Sequence, residues 1–303
     1  MSQAHMDWTE EELADQDEAV TLADPSSRVQ AGDVWQLGRN VLYCENSETR
    51  HFVDRMVSDH GYGQLVFTDP PYQMDTLHGA KTSFVGLGGE ARPMRPVHQK
   101  ISAMAMGKFD AKRFLALLPH YFVLGKMAAF VFHAKDSTPD LYGWVADVRD
   151  GNVDREDMSL RSLRGLSCTP LTWYKGDEPG KANPFPIGKA HRPDVEYLMY
   201  LRHKGIWNNS DKAPGALRGR VLFHKREKGE HPTMKPVSLI QNQLLLTTEP
   251  DGLVYDPYGG SGSTLIAAER CGRRCVMVEQ LPQMCDLILS RYEAETGREA
   301  VKV

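Results

Sequence analysis

Residues 253–280 read LVYDPYGGSGSTLIAAERCGRRCVMVEQ. An apolar run at 253–257 ends on Asp256 and Pro257, a glycine-rich turn follows, and a helix-forming stretch begins at Ser263. A second apolar run, 273–279, ends on Glu279. Strand, turn, helix, strand is one βαβ unit, and such units predict parallel strands with helices packed on the sheet. Glycines let the backbone turn sharply and approach a ligand, while the helix start offers N–H groups that have no partner in the helix. A glycine turn alone is a weak signal. Glu279 sharpens it, because a carboxylate at the end of the next strand is placed to accept two hydrogen bonds from a ribose diol. No Gly-Lys-Ser/Thr follows the glycines, which excludes the phosphate-gripping P-loop.

Working outward, a second strand at 64–68 runs into TDPPYQ at 68–73. Neither proline donates to a ladder, and each fixes φ at about −65°. The strand therefore ends in a stiff corner carrying a carboxylate, Asp69, and an aromatic ring, Tyr72. Further strands are expected at 41–43, 127–134, 168–175 and 195–202. Helices are expected near 48–57, 111–125, 138–149, 236–247 and 281–296, with Pro236 at the first helical position. The alternation predicts an α/β fold with a doubly wound, mostly parallel sheet. Residues 73–110 hold seven glycines and prolines with little periodicity. So long a loop is expected to act as a lid or binding loop. Residues 205–230 are glycine-bearing and basic.

The chain has 303 residues and a formal net charge of −4. Residues 1–28 carry eight acids and one base, so residues 29–303 sum to +3. The first segment reads as an acidic, solvated tail, and the rest as a single domain. A mildly basic body permits nucleic acid as a partner. No stretch is apolar enough to span a bilayer, and the N-terminus lacks a signal-peptide core, so a cytoplasmic protein without membrane attachment is expected. The five cysteines are odd in number and scattered, which suits reduced thiols, and no CxxC pair argues for metal.

The motifs taken together resemble the permuted, β-type family of amino-methylating DNA methyltransferases: DPPY at 69–72, HPTMKP at 231–236, DPYGGSGST at 256–264 and VMVEQ at 276–280. The order, catalytic motif first and cofactor motif near the C-terminus, is part of the resemblance, which covers about residues 32–292. It implies a Rossmann-like, S-adenosylmethionine-dependent methyltransferase fold, with methyl transfer to an exocyclic amine of a base flipped out of DNA. Asp69 and the Pro70 carbonyl would accept the two N–H groups of that amine, with Pro71 stiffening the corner and Tyr72 stacking on the base. Asp256, Tyr258, Gly260, Gly262, Ser263 and Thr264 would surround the methionine part of the cofactor. Thr233 and Lys235 would grip its carboxylate, and Glu279 its ribose. Asn46 stands where the family often has an adenine-binding Asp; its other reading is a helix N-cap.

The resemblance implies adenine N6 as target, since adenine enzymes of the family usually carry Asp and cytosine enzymes usually Ser at the position of Asp69, with cytosine N4, RNA, or a catalytically inactive nucleic-acid binder as alternatives. Residues 205–230 fall where the family places a target-recognition segment, so Arg218, Arg220, Lys225, Arg226 and Lys228 are candidates for nucleic-acid contacts. A homodimer and a cognate restriction nuclease are the further partners that the resemblance suggests.

Overall fold

The computed structural model describes residues 27–71, 83–85, 91–93, 111–134, 137–150, 165–179, 194–209, 218–226 and 234–303. In chain order the strands and helices are β1 (Val34–Leu37), β2 (Asn40–Cys44), α1 (Arg50–His60), β3 (Leu65–Thr68), β4 (Ser83–Val85), β5 (Ala91–Pro93) and α2 (Ala111–Leu117). There follow β6 (Ala128–His133), α3 (Thr138–Asp150), β7 (Ser167–Tyr174), β8 (Val195–Arg202) and β9 (Val221–Phe223). The last part holds α4 (Val237–Thr247), β10 (Leu253–Asp256), α5 (Ser263–Arg270), β11 (Arg274–Glu279), α6 (Pro282–Thr296) and β12 (Val301–Lys302).

Among the described residues one large sheet has the order β12-β1-β2-β11-β10-β3-β6-β8-β7-β9. Its centre, β2-β11-β10-β3-β6, is parallel throughout. Antiparallel pairs flank it: β12-β1-β2 on one side, and β6-β8-β7 on the other. The central strands are buried along their length, which is why their sequences are continuous apolar runs. Alternate residues face opposite ways. Leu65 and Phe67 pack with α4, α5 and α6, whereas Val66 packs with α1, α2 and α3.

This arrangement places the site. From β10 the chain turns to α5 on one face and returns as β11. From β3 it returns through α2, on the opposite face, to β6. The two connections diverge at adjacent strands, β3 and β10. A crevice opens at such a switch point, beyond the carboxyl ends of the strands.

Several expectations change. Residues 34–37, outside the expected strands, form β1, which pairs with β2 and with the C-terminal β12. The basic segment 205–230 contains β9, an edge strand that runs parallel to β7. Helix α1 is capped by Thr49, whose hydroxyl accepts the Phe52 N–H, so Asn46 is not its N-cap. Pro236 lies just outside α4 as its N-cap residue. Arg28, the last residue of the expected tail, is bonded to Glu293 of α6 at 2.8 Å. Of the loop 73–110, only β4 and β5 lie within the described residues, and these pair antiparallel.

Candidate active site

Position by position, the glycine turn is built to stay open. Gly262 has φ +83°, and a side chain there would meet Ile288 at 3.0 Å. Gly260 has φ +51°, and a β-carbon there would meet nothing within 4 Å. Left-handed backbone at both positions costs an ordinary residue about 1–2 kcal/mol. Helix α5 begins immediately afterwards, and no side chain caps it. Its first N–H groups therefore point into the crevice with the positive end of the helix dipole. Arg291 of α6 donates to the Ser261 carbonyl and ties the turn down from behind.

Both oxygens of Glu279 are engaged by backbone N–H groups, Gly260 on one side and Leu281 on the other, each at 2.8 Å. Burial pushes its carboxyl up to about 7, against those hydrogen bonds. Asp256 closes the bottom of the turn. Its Oδ1 accepts from the Thr68 hydroxyl at 2.8 Å and from the Tyr258 N–H at 3.1 Å. Burial again dominates and raises this carboxyl to about 7. The Thr68–Asp256 bond ties the end of β3 to the end of β10. It therefore joins the expected catalytic corner to the expected cofactor turn.

An open cavity lies between them. Asp69, Lys235, Asp256, Tyr258, Gly260, Ser263 and Thr264 line it, so seven of the sequence-predicted residues meet in one place. Phe67, Phe132 and Ile240 supply an apolar wall that the sequence did not single out. Pro70 is buried and Pro71 half-buried behind Asp69. Tyr72 and Thr233 lie outside the described residues. Tyr258 donates to Glu48 at 3.2 Å and packs on Phe114 with ring centroids 5.7 Å apart. Asn46 is exposed, its side-chain oxygen accepting the Glu48 N–H.

Lys235 stands apart from its expected surroundings. Its ammonium is bonded to Asp69 Oδ2 and lies 3.2 Å from Glu196 Oε2. Glu196 and Lys175 were absent from the sequence reading. Their signal was a charge within or at the end of an apolar strand, in VEYLMYLR and CTPLTWYK. Of the basic candidates, Arg218 and Arg220 are exposed. Lys225 pairs with Asp177 at 2.6 Å, and Arg226 turns toward Glu196 at 4.0 Å. Lys228 lies outside the described residues.

A doubly wound sheet with an uncapped glycine turn at its switch point defines a Rossmann-like fold, that of the S-adenosylmethionine-dependent methyltransferases. Residues 177–290 match the family model N6_N4_Mtase, described as DNA methylase. The span includes Lys235, the glycine turn and Glu279 but not Asp69. Over this span the chain is similar to the N6/N4 amino-methyltransferase family. It is 36% identical over 72 residues to type II methyltransferase M2.MboI of Moraxella bovis, covering 24% of this chain and 26% of that protein. To type II methyltransferase M.ScaI of Streptomyces caespitosus it is 31% identical over 159 residues, 48% of this chain and 47% of the other. The chain thus spans between about a quarter and a half of the length of these relatives. Among solved structures, the M1.HpyAVI–SAM complex superposes with a TM-score of 0.52 at 17% identity, covering 83% of this chain and 98% of that one. PvuII DNA methyltransferase, cytosine-N4-specific, gives 0.51 at 16% identity, covering 86% and 91%. Among the described residues no helix is long and apolar enough to cross a membrane.

Proposed function

We propose that this chain methylates the N6 amine of an adenine flipped out of duplex DNA, using S-adenosylmethionine. One observation carries the reading. The Asp69 carboxylate and the uncapped glycine turn face the same cavity, from adjacent strands joined by the Thr68–Asp256 bond. An amine acceptor and a nucleotide-cofactor turn there share one wall.

The residues present fit the cofactor. Gly260 leaves open space where a side chain would intrude, and the first N–H groups of α5 suit a carboxylate. Asp256, Tyr258, Gly260, Gly262, Ser263 and Thr264 would hold the methionine part and Thr233 its carboxylate, while Lys235 is engaged by Asp69. Glu279 would take the ribose hydroxyls on lone pairs that its two backbone bonds leave over, and Asn46 would meet the adenine edge. When bound, S-adenosylmethionine supplies a methyl group on a positively charged sulfur.

The protein's task is to present a poor nucleophile. An exocyclic amine has its lone pair drawn into the ring. Asp69 accepting one N–H and the Pro70 carbonyl the other would favour a pyramidal nitrogen with its lone pair aimed at the methyl. Tyr72 would stack on the extruded base. As the nitrogen gains positive charge, Asp69 is the nearest anion to stabilise it. Asp rather than Ser at position 69 favours adenine. The likeness in fold to an enzyme titled cytosine-N4-specific keeps cytosine N4 as the second reading. Exposed Arg218 and Arg220, with Lys225, Arg226 and Lys228, are proposed to meet phosphates or base edges. A companion nuclease is inferred from the type II names of the relatives.

Asp69→Ala is the test. Transfer to DNA should fall at least about a hundredfold. Calorimetric affinity for the cofactor should stay within about threefold, because the glycine turn is untouched. Undiminished turnover would overturn the assignment.

A further inference from the structure

Five charged side chains from separate segments meet behind Asp69. Lys235 bonds Asp69 and stands 3.2 Å from Glu196 Oε2. Lys175, at the end of β7, stands 3.1 Å from Glu196 Oε1, and Arg226 reaches the same oxygen at 4.0 Å. Asp256 is the other carboxylate close to Asp69. Lys235 and Lys175 are only 7% and 6% exposed. A buried ammonium is costly without carboxylate partners. The topology explains the meeting. Strand β8 runs against β6, so its first residues lie at the carboxyl ends of the parallel strands, where Asp69 is. Glu196 does not line the cavity and is linked to Asp69 through Lys235.

We propose that Glu196, anchored by Lys175, is a positioning residue that shares the Lys235 ammonium with Asp69 and so keeps Asp69 an acceptor for the target amine. The inference rests on the methyl-transfer reading above. An ammonium held by Asp69 alone would take up the charge that the amine needs and compete for the same oxygen. With a second carboxylate at 3.2 Å, Lys235 shifts toward Glu196 when a substrate N–H arrives, and is never left buried and unpaired. Burial raises the Glu196 carboxyl, but Lys235 and Lys175 outweigh it and hold it below its ordinary value, so Glu196 is ionised to receive the lysine.

The test compares Glu196→Gln and Lys175→Met in the full chain, on genomic DNA with labelled S-adenosylmethionine. Glu196→Gln should lower kcat roughly tenfold or more, with the cofactor dissociation constant changed less than about threefold. Removing a negative charge should move both limbs of the kcat/KM pH profile to lower pH. Lys175→Met removes a positive charge and should move them to higher pH. A merely structural defect does not shift the limbs in opposite directions. In the ligand-free protein, melting of Glu196→Gln, Lys235→Met and the double variant should be non-additive. An active wild type whose Glu196→Gln variant keeps both kcat and pH limbs would overturn the inference. So would a variant with unchanged kcat and weakened cofactor binding, which would put Lys235 on the cofactor instead. If Glu196→Gln does not fold, the alkaline shift in Lys175→Met decides. If the wild type moves no methyl to DNA, the functional reading fails, and additive melting would separately overturn the pairing.

Discussion

Asp256 is a carboxylate with neutral hydrogen-bond partners and almost no exposure, 3%. Burial outweighs the bonds from Thr264, Thr68 and the Tyr258 N–H and lifts it to about 7. The sign follows from linkage. A carboxyl raised on folding binds its proton more tightly in the native state. Its stabilising contribution is full below the ordinary carboxylate range and is lost as pH rises through about 7. Glu279 acts in the same sense. His60, His133 and His224 are lowered by burial, so each contributes stability that is lost as pH falls, the opposite slope. Total melting therefore mixes the two, and Asp256→Asn separates them. The Asn Oδ1 keeps both bonds made to that oxygen. Relative to wild type, the melting temperature of the variant should gain at least about 2–4 °C between about pH 5 and about pH 8. A pH-independent difference would show that Asp256 is ionised throughout. Single residues also mark where sequence reading stopped. Asp69, Asp256 and Gly260 were legible because each stands in a motif whose chemistry needs that residue type. Glu196 and Lys175 were not, because their role depends on an antiparallel strand bringing its first residues to the site.

The decisive element is β10–turn–α5–β11. It was legible almost to the residue because glycines, a helix start and two apolar runs punctuate it. The short outer strands β1, β9 and β12 were not. They have two to four residues, and their strand character comes from the neighbours they pair with rather than from their own pattern. Within the turn, Gly262 carries both a left-handed backbone and contact with Ile288. Gly262→Ala should cost about 1–2 kcal/mol in backbone strain, and more as Ile288 gives way. Melting should fall, and calorimetric binding of S-adenosylmethionine should weaken with it. Unchanged melting and binding would mean that the turn tolerates a side chain and does not shape the cofactor site.

At the scale of the molecule, a central parallel sheet supplies a rigid crevice, and antiparallel flanks bring in the charges that surround Asp69. The body outside residues 1–28 is net positive by three, which suits a polyanionic substrate. The order of motifs along the chain and the order of strands in the sheet agree, since the first and last thirds of the sequence meet at β3 and β10. The central claim is methyl transfer to an amine of DNA, with adenine as the base. The most direct measurement is to incubate the purified chain with unmethylated genomic DNA and isotope-labelled S-adenosylmethionine, digest to nucleosides and identify the labelled species by mass. Label is expected in N6-methyldeoxyadenosine, and absent with Asp69→Ala. Label in N4-methyldeoxycytidine would contradict the choice of base, and no label in any nucleoside would contradict the account.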